Sequence, residues 1–234
     1  MYNEFANLYD DLMNDFDYKK WFTYIKDIFS RYDKKPKKIL EMACGTGNLS
    51  NYLAKEGYIL NCFDLSEEML AIADGKLNKY KHVKLFKQNM IDFKLNTKYD
   101  CILSICDSLN YVLNENDLLS TFKNVHTHLK DNGIFIFDIN SYYKLRNIIG
   151  NNIFTEDRDN IFYIWQNTYD EESDICSFYL TFFHSKDGQN FLRADEHHRQ
   201  KAYKKDRVIE LLKIVGFNKV DTYEAFTFNP LEKD

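Results

Sequence analysis

Two carboxylates flank a pair of closely spaced glycines in a pattern that suits a charged, hydroxyl-bearing ligand. Glu41 lies four residues before Gly45, Gly47 follows after one residue, and Asp64 lies 17 residues further on. Glycine permits positive φ angles and a close approach of the backbone to a ligand. An acid at the end of the second strand of such a unit can accept hydrogen bonds from two adjacent hydroxyls. A carboxylate at position 41 would repel a pyrophosphate, so the pattern favours a ligand that carries an ammonium or a sulfonium.

These residues also have simpler structural interpretations, which the sequence leaves open. Glu41 would then be an exposed acid at the end of a strand, and Asp64 would help to begin the helix that Ser66 caps. Ser50 stands where a dinucleotide-binding loop has its third glycine or alanine. The loop therefore predicts a nucleoside-like ligand other than a dinucleotide.

Strands alternate with helices along the first 140 residues. Helical spacing predicts helices over 47–55 and 114–129. Short apolar runs predict strands over 38–41, 58–63, 83–87, 99–105 and 133–139. Strands that alternate with helices form a parallel sheet with helices on both faces, so we predict an α/β fold.

The pattern changes after residue 140. Long runs rich in aromatic and β-branched residues predict antiparallel hairpins over 161–169, 175–184 and 191–203. Helical spacing then predicts a helix over 205–215, which stops at Gly216, and a late strand over 217–228.

Composition and charge narrow the class of protein. The chain has 234 residues, 44% of them hydrophobic, and a net charge of −5. The basic residues are scattered, and the run 34–38 is interpreted as a solvated linker, so nucleic acid is a disfavoured partner. Five cysteines without C-x-x-C spacing indicate a reducing, cytoplasmic location. The sequence predicts no signal peptide and no membrane span.

The motifs of this chain resemble a known family. They are Glu41-x-Ala43-Cys44-Gly45-Thr46-Gly47, Asp64-Leu65-Ser66-x-x-Met69-Leu70, Asp107-Ser108-x-Asn110-Tyr111 and Phe137-Asp138-Ile139-Asn140. Together they resemble class I S-adenosylmethionine-dependent methyltransferases, and in particular a bacterial small-molecule branch related to glycine and sugar-amine N-methyltransferases. The resemblance implies a Rossmann-like methyltransferase fold with a mostly parallel sheet of the seven-stranded type and an antiparallel β insert.

The resemblance also implies where the cofactor, S-adenosylmethionine, and its product, S-adenosylhomocysteine, bind. The loop 45–47 would cradle the methionine part, Asp64 would hold the ribose, and Leu65 would pack on the adenine. Asn89 stands where the family usually has an aspartate that accepts from the adenine amine, and its carbonyl oxygen can accept the same hydrogen bond. The cofactor residues expected on this basis are Tyr9, Trp21, Glu41, Ala43, Gly45, Gly47, Asp64, Leu65, Met69, Asn89, Met90 and Cys106.

An aromatic face is expected in the N-terminal segment. Tyr2, Phe5 and Tyr9 recur at helical spacing. They form either a core-facing stripe or a lid over the cofactor, where aromatic faces stabilise the sulfonium. The resemblance favours the lid, and Trp21 could belong to either arrangement.

Few residues are candidates for catalysis, since an in-line methyl transfer needs alignment and exclusion of water rather than a metal. In the run 191–203, strand alternation places Glu196 and His198 on the less charged face, which makes His198 the best base. Asp107 and Tyr111 are the next candidates because they follow a strand end. The adjacent His197 and His198 point to opposite faces, so no metal site is expected.

The predicted function is the transfer of a methyl group to a small molecule, most plausibly at an amine nitrogen by family analogy. The alternatives are a cofactor-binding module without turnover and an RNA or protein methyltransferase. Residues 1–140 with 204–234 would form the cofactor-binding domain, and 141–203 would form a substrate-side insert or a dimerisation surface in a monomer or homodimer. Related folds end in a two-stranded hairpin, and only one late strand is predicted here, so either the chain is shortened or the last strand is missing.

Overall fold

The fold is seen in a computed structural model that describes Asp10 and residues 16–158, 160–185 and 188–231. The aromatic residues Tyr2, Phe5 and Tyr9 of the expected lid lie outside the described residues.

A five-stranded parallel sheet forms the centre of the molecule. Its spatial order is β3-β2-β1-β4-β5, and every neighbouring pair is parallel. The strands are β1 (Lys38–Met42), β2 (Ile59–Asp64), β3 (Val83–Lys87), β4 (Tyr99–Ser104) and β5 (Leu129–Phe137). This arrangement confirms the predicted α/β fold, and it brings the ends of β1, β2, β4 and β5 to one edge of the sheet.

Five α-helices accompany the sheet within the described ranges. They are α1 (Tyr18–Arg31), α2 (Asn48–Glu56), α3 (Glu67–Leu77), α4 (Glu115–His128) and α5 (Lys205–Ile214). Ser66 caps α3 as predicted, because its hydroxyl accepts the Met69 N–H at 3.1 Å. No helix in the described part of the chain combines the length and apolarity needed to cross a membrane.

The three central strands, β2, β1 and β4, are buried on both faces. On β1, Ile39 packs in the cluster that contains Trp21 and Ile25 of α1, whereas Leu40 packs with Phe122 of α4. Alternate strand residues point to opposite faces, so a sheet covered on both sides needs apolar residues at successive positions. This packing holds the carboxyl edge of the sheet, and the loops that leave it, in fixed positions.

A second, antiparallel sheet forms the insert. Its strands are β6 (Ile153–Arg158), β7 (Ile161–Asp170), β8 (Ile175–Ser185) and β9 (Phe191–Lys201), in that spatial order. The last three confirm the predicted hairpins. Sequence analysis missed β6, whose second half is charged, and the π-helix Lys144–Ile149 that precedes it.

The predicted late strand over 217–228 is wrong, because no residue of that segment pairs with either sheet. Phe226 packs against Trp21 of α1 with 4.6 Å between ring centroids, and the Tyr24 hydroxyl donates to the carbonyl of Thr227. The aromatic residues of this segment therefore cover α1 instead of adding a strand. The last strand of the expected seven-stranded type is not found among residues 16–231, and β5 lies at the edge of the described sheet.

Candidate active site

The glycine loop leaves the carboxyl end of β1 in a left-handed conformation. Ala43, Gly45 and Gly47 have φ angles of 52°, 54° and 77°. A Cβ atom at Gly45 would meet nothing within 4 Å, whereas one at Gly47 would lie 3.0 Å from Leu77 Cδ1 of α3. Gly45 therefore borders open space where a ligand can approach the backbone, and Gly47 is required for packing.

Asp64 ties this loop to the start of α3. Its Oδ2 accepts the Gly45 N–H at 2.8 Å, and its Oδ1 accepts the Ser66 N–H at 2.9 Å. Burial raises the pKa of Asp64, and these backbone N–H donors offset part of that rise. Each carboxylate oxygen keeps a lone pair that can accept a ligand hydroxyl.

Glu41 is buried beneath the loop, with 4% of its surface exposed, so the interpretation as an exposed strand-end acid is wrong. The Ser50 hydroxyl donates to Glu41 Oε2 at 2.6 Å, which explains the serine at that position. Burial raises the pKa of Glu41 to about 7, against the effect of Ser50 and with a contribution from the neighbouring Asp64. A positive ligand group beside Glu41 would restore its ionised form.

The other predicted cofactor residues lie in different settings. Leu65 is 63% exposed at the start of α3, and Met69 is half-buried on the same helix. Asn89 Oδ1 accepts the Ile91 N–H at 3.0 Å and keeps a second lone pair. Met90 packs against the core. Trp21 is 5% exposed in the core with Cys44 and Ile105, which corresponds to the core alternative rather than the lid.

Asp10, which sequence analysis did not single out, binds the glycine loop. Asp10 Oδ1 accepts from Thr46 Oγ1 at 2.6 Å and from Asn48 Nδ2 at 3.0 Å, and Asp10 Oδ2 accepts from Lys76 Nζ at 2.6 Å. Burial alone would raise the pKa of Asp10, but these hydrogen bonds hold it below its usual value. We call these four residues the Asp10 clasp. Tyr9, the predicted lid residue next to it, lies outside the described residues.

The loop after β4 supplies the second half of the site. Cys106 and Asp107 have φ angles of 65° and 49°, which are uncommon outside glycine. The Asp107 N–H donates to Asp138 Oδ2 at 3.1 Å, and Asp138 follows β5 directly. Burial and the nearby Asp107 raise the pKa of Asp138 to about 7. Two acids therefore meet at the ends of neighbouring strands, and burial also raises the pKa of Asp107.

A chain of three amides, two of them buried, joins this loop to the insert. Gln200 Nε2 donates to Asp107 Oδ2 at 2.5 Å, and Asn140 Nδ2 donates to Gln200 Oε1 at 2.9 Å. Asn110 Nδ2 donates to the carbonyls of Asn140 and Lys201. We call Asn110, Asn140 and Gln200 the amide relay. Strand alternation puts Gln200 on the same face of β9 as Glu196 and His198, although the sequence gave no reason to assign it a role.

The structure brings the three predicted catalytic residues together. The rings of Tyr111 and His198 meet edge to face with centroids 6.0 Å apart, and Gln200 contacts both Asp107 and Tyr111. His198 Nε2 lies 3.9 Å from Glu196 Oε2, too far for a hydrogen bond. Burial, with the neighbouring His197, lowers the pKa of His198, and burial raises that of Glu196, so both tend toward neutral forms. In the described ranges no cluster of three or more acid, histidine or cysteine side chains could hold a metal ion.

The buried Glu41 predicts a pH dependence of stability. Its pKa is about 7 in the folded protein against 4.5 ordinarily, so between these values only the folded state holds the proton. The contribution of Glu41 to stability is then full below pH 4.5 and is lost as the pH rises toward 7. We expect Glu41→Gln to remove on the order of 2–3 kcal/mol of this pH dependence, measured by urea unfolding between pH 5 and 8.

Glu56→Gln is the matched control, because Glu56 forms an exposed ion pair with Lys26. Its unfolding free energy should follow the wild-type pH profile. Identical profiles for Glu41→Gln and the wild type would contradict the account of Glu41 as a buried, proton-binding acid.

Known proteins share this sequence and this architecture. A family model described as "Methyltransferase domain" matches residues 39–133. A Geobacillus sp. (strain WCH70) protein, whose name assigns it to the methyltransferases, is 37% identical over 228 residues, 97% of this chain and 92% of the relative. A glycine/sarcosine N-methyltransferase of Halorhodospira halochloris is 26% identical over 236 residues, with 95% and 80% of the two chains covered.

A solved structure agrees with these sequence relatives. The crystal structure of an S-adenosylmethionine-dependent methyltransferase from Clostridium acetobutylicum ATCC 824 superposes with a TM-score of 0.89. The two chains are 39% identical, and the match covers 99% of this chain and 94% of the other. With this degree of similarity over nearly the whole chain, the protein belongs to the S-adenosylmethionine-dependent methyltransferases, and S-adenosylmethionine is its cofactor.

Proposed function

We propose that this methyltransferase transfers the methyl group to a nitrogen atom of a small amine. The observation that carries the proposal is the pair of half-buried acids Asp107 and Asp138, which meet at the ends of β4 and β5. Asp107 Oδ1 accepts no hydrogen bond from the described residues, while Asp107 Oδ2 is held by Gln200. A carboxylate oxygen that is available in this way can bind a methyl acceptor that carries N–H groups or a positive charge. The glycine/sarcosine relative, which acts on amines by its name, supports the same class of substrate.

The geometry of the glycine loop fits the cofactor. The open space beside Gly45 allows a ligand to contact the backbone there, and we propose that the loop holds the methionine part near the buried Glu41. Asp64 would accept the ribose hydroxyls with its remaining lone pairs. Other residues proposed to contact the cofactor are Ala43, Gly47, Leu65, Met69, Asn89, Met90 and Cys106.

The residues of the second half of the site have roles in the transfer. When bound, S-adenosylmethionine supplies an electrophilic methyl group, whose bond to sulfur breaks as the new bond to nitrogen forms, leaving S-adenosylhomocysteine. Asp107 Oδ1 would accept an N–H of the amine and so orient its lone pair. The neutral His198 would take the proton that the nitrogen loses, and Tyr111 would contact the acceptor and exclude water.

The cysteines bear on the proposed location of the protein, and the net charge bears on its proposed substrate. All five cysteines are free, which suits a reducing cytoplasm. The net charge of −5 makes a polyanionic substrate such as RNA unfavourable.

A methylation assay tests the proposed substrate class. The purified protein is incubated with S-adenosylmethionine and a panel of small primary and secondary amines, and S-adenosylhomocysteine and methylated amines are measured by mass spectrometry. For accepted amines, Asp107→Asn should lower kcat/KM by roughly 10- to 100-fold, because a charged hydrogen bond to the acceptor is lost.

Asp195→Asn is the control, because Asp195 is an exposed acid on the outer face of β9 paired with Arg193; its kcat/KM should equal the wild-type value. Turnover of RNA or protein with no methylation of any amine would overturn the proposed substrate, as would full activity of Asp107→Asn.

The Asp10 clasp predicts how Asp10 contributes to cofactor binding. We propose that the ion pair between Lys76 and Asp10 holds Asp10 on the glycine loop and so keeps that loop in its binding conformation. Lys76→Met should raise the Kd for S-adenosylmethionine by about five-fold, as expected for loss of a partly buried ion pair, and calorimetry measures this.

Lys26→Met removes an equally short but distant ion pair, with Glu56, and should leave the Kd unchanged. Equal affinities for the Lys76 variant and the wild type would show that the clasp does not act on the cofactor site.

A further inference from the structure

The orientation of the Asn110 amide is fixed by backbone neighbours. Asn110 Nδ2 donates to the carbonyls of Asn140 at 3.1 Å and Lys201 at 2.9 Å, so Asn110 Oδ1 must be the acceptor for the Asn140 N–H at 2.9 Å. Backbone groups cannot exchange donor and acceptor. They therefore determine which way the Asn110 amide points.

At the other end of the relay, Asp107 fixes the direction, because an ionised carboxylate can only accept hydrogen bonds. Asn140 Nδ2 donates to Gln200 Oε1 at 2.9 Å, which leaves Gln200 Nε2 to donate to Asp107 Oδ2. A carboxylate oxygen that receives this N–H is favoured in its ionised form. Asn110 is fully buried and Gln200 is 1% exposed, so water has little access to these two amides.

We propose that Gln200, oriented by Asn140 and Asn110, is a positioning residue that keeps Asp107 ionised with its second oxygen directed at the methyl acceptor. This inference rests on the proposed function, in which Asp107 binds the amine. Gln200 belongs to β9 of the insert, and Asp107 follows β4 of the parallel sheet. The hydrogen bond that positions Asp107 therefore forms only when the insert is packed next to the loop after β4.

Several other titratable groups lie near Asp107 and must be considered when its pKa is measured. Asp138 after β5 disfavours the charge of Asp107 when it is itself ionised, and Lys144 of the π-helix favours it. Asp107 in turn raises the pKa of Cys106 in the same loop and of Tyr111 in the following turn, so both stay neutral. Glu196 and His198 face the cleft from β9, on the same side of the strand as Gln200. None of these groups is altered in the variants below, so they affect all of them alike.

The test measures the pKa of Asp107 directly, by carboxyl carbon NMR of the protein saturated with S-adenosylhomocysteine, with the signal assigned through Asp107→Asn. In Asn140→Asp the new acid can only accept, so Gln200 must turn its N–H toward position 140 and its carbonyl toward Asp107. We expect the pKa of Asp107 to rise by about one unit or more. Asn140→Ala removes the partner without reversing Gln200, and its effect should be clearly smaller.

Two further variants separate the relay from added charge. Gln166→Glu adds the same charge at an exposed position of β7 and should leave the pKa of Asp107 unchanged. In a Gln200→Leu background, Asn140→Asp acts through charge alone, so its effect there should be less than half of its effect in the wild type. An equal effect in both backgrounds, or a larger shift in Asn140→Ala than in Asn140→Asp, would overturn the relay.

Kinetics then connect the relay to the reaction. Asn140→Asp should raise KM for an accepted amine by about ten-fold, while calorimetry gives an unchanged Kd for S-adenosylmethionine. A shifted Asp107 pKa with an unchanged KM would leave the relay standing and count against Asp107 as the amine-binding group. An unshifted pKa would overturn the relay whatever the substrate proves to be.

Discussion

Uncompensated negative charge at one edge of the sheet is the constraint on which this structure depends. Glu41, Asp64, Asp107 and Asp138 follow or end four parallel strands, and none of them takes part in a salt bridge among the described residues. Burying a carboxylate without a cation is unfavourable, and here it raises the pKa of each acid. A ligand that brings positive charge to this edge would recover that free energy, and S-adenosylmethionine carries both a sulfonium and an ammonium.

The rest of the fold keeps these acids apart and in place. Apolar clusters on both faces of the sheet fix the strand ends, and the left-handed loop after β1 directs the Gly45 N–H at Asp64. The insert also holds one of these acids in place, because Gln200 of β9 donates a hydrogen bond to Asp107. The proposed cofactor half of the site is therefore built mainly from local loops, with Asp10 as a distant contribution, whereas the proposed acceptor half is assembled from distant parts of the chain.

This difference explains how much could be predicted from sequence. The strand, glycine loop and helix around Gly45, and the cap at Ser66, follow from patterns a few residues long. The contacting residues Gln200 and Asp107 are 93 positions apart, and Asp10 and Lys76 are 66 positions apart. A pattern of a few neighbouring residues therefore cannot predict either contact. The late strand was predicted wrongly because aromatic residues suit a strand, although Phe226 packs on Trp21 of a helix instead. The strand β6 was missed for the opposite reason, because the charged residues in its second half are not typical of a strand.

Proton release on cofactor binding tests the central claim most directly. Glu41 has a pKa of about 7 before a cation binds beside it, so at a pH near 6.5 binding of S-adenosylmethionine should expel a large part of a proton from it. Calorimetric titrations in buffers of different ionisation enthalpy measure this number. We expect a release of roughly half a proton or more for the wild type and a clearly smaller release for Glu41→Gln. Equal release by both proteins, or a binding enthalpy independent of the buffer, would contradict this expectation.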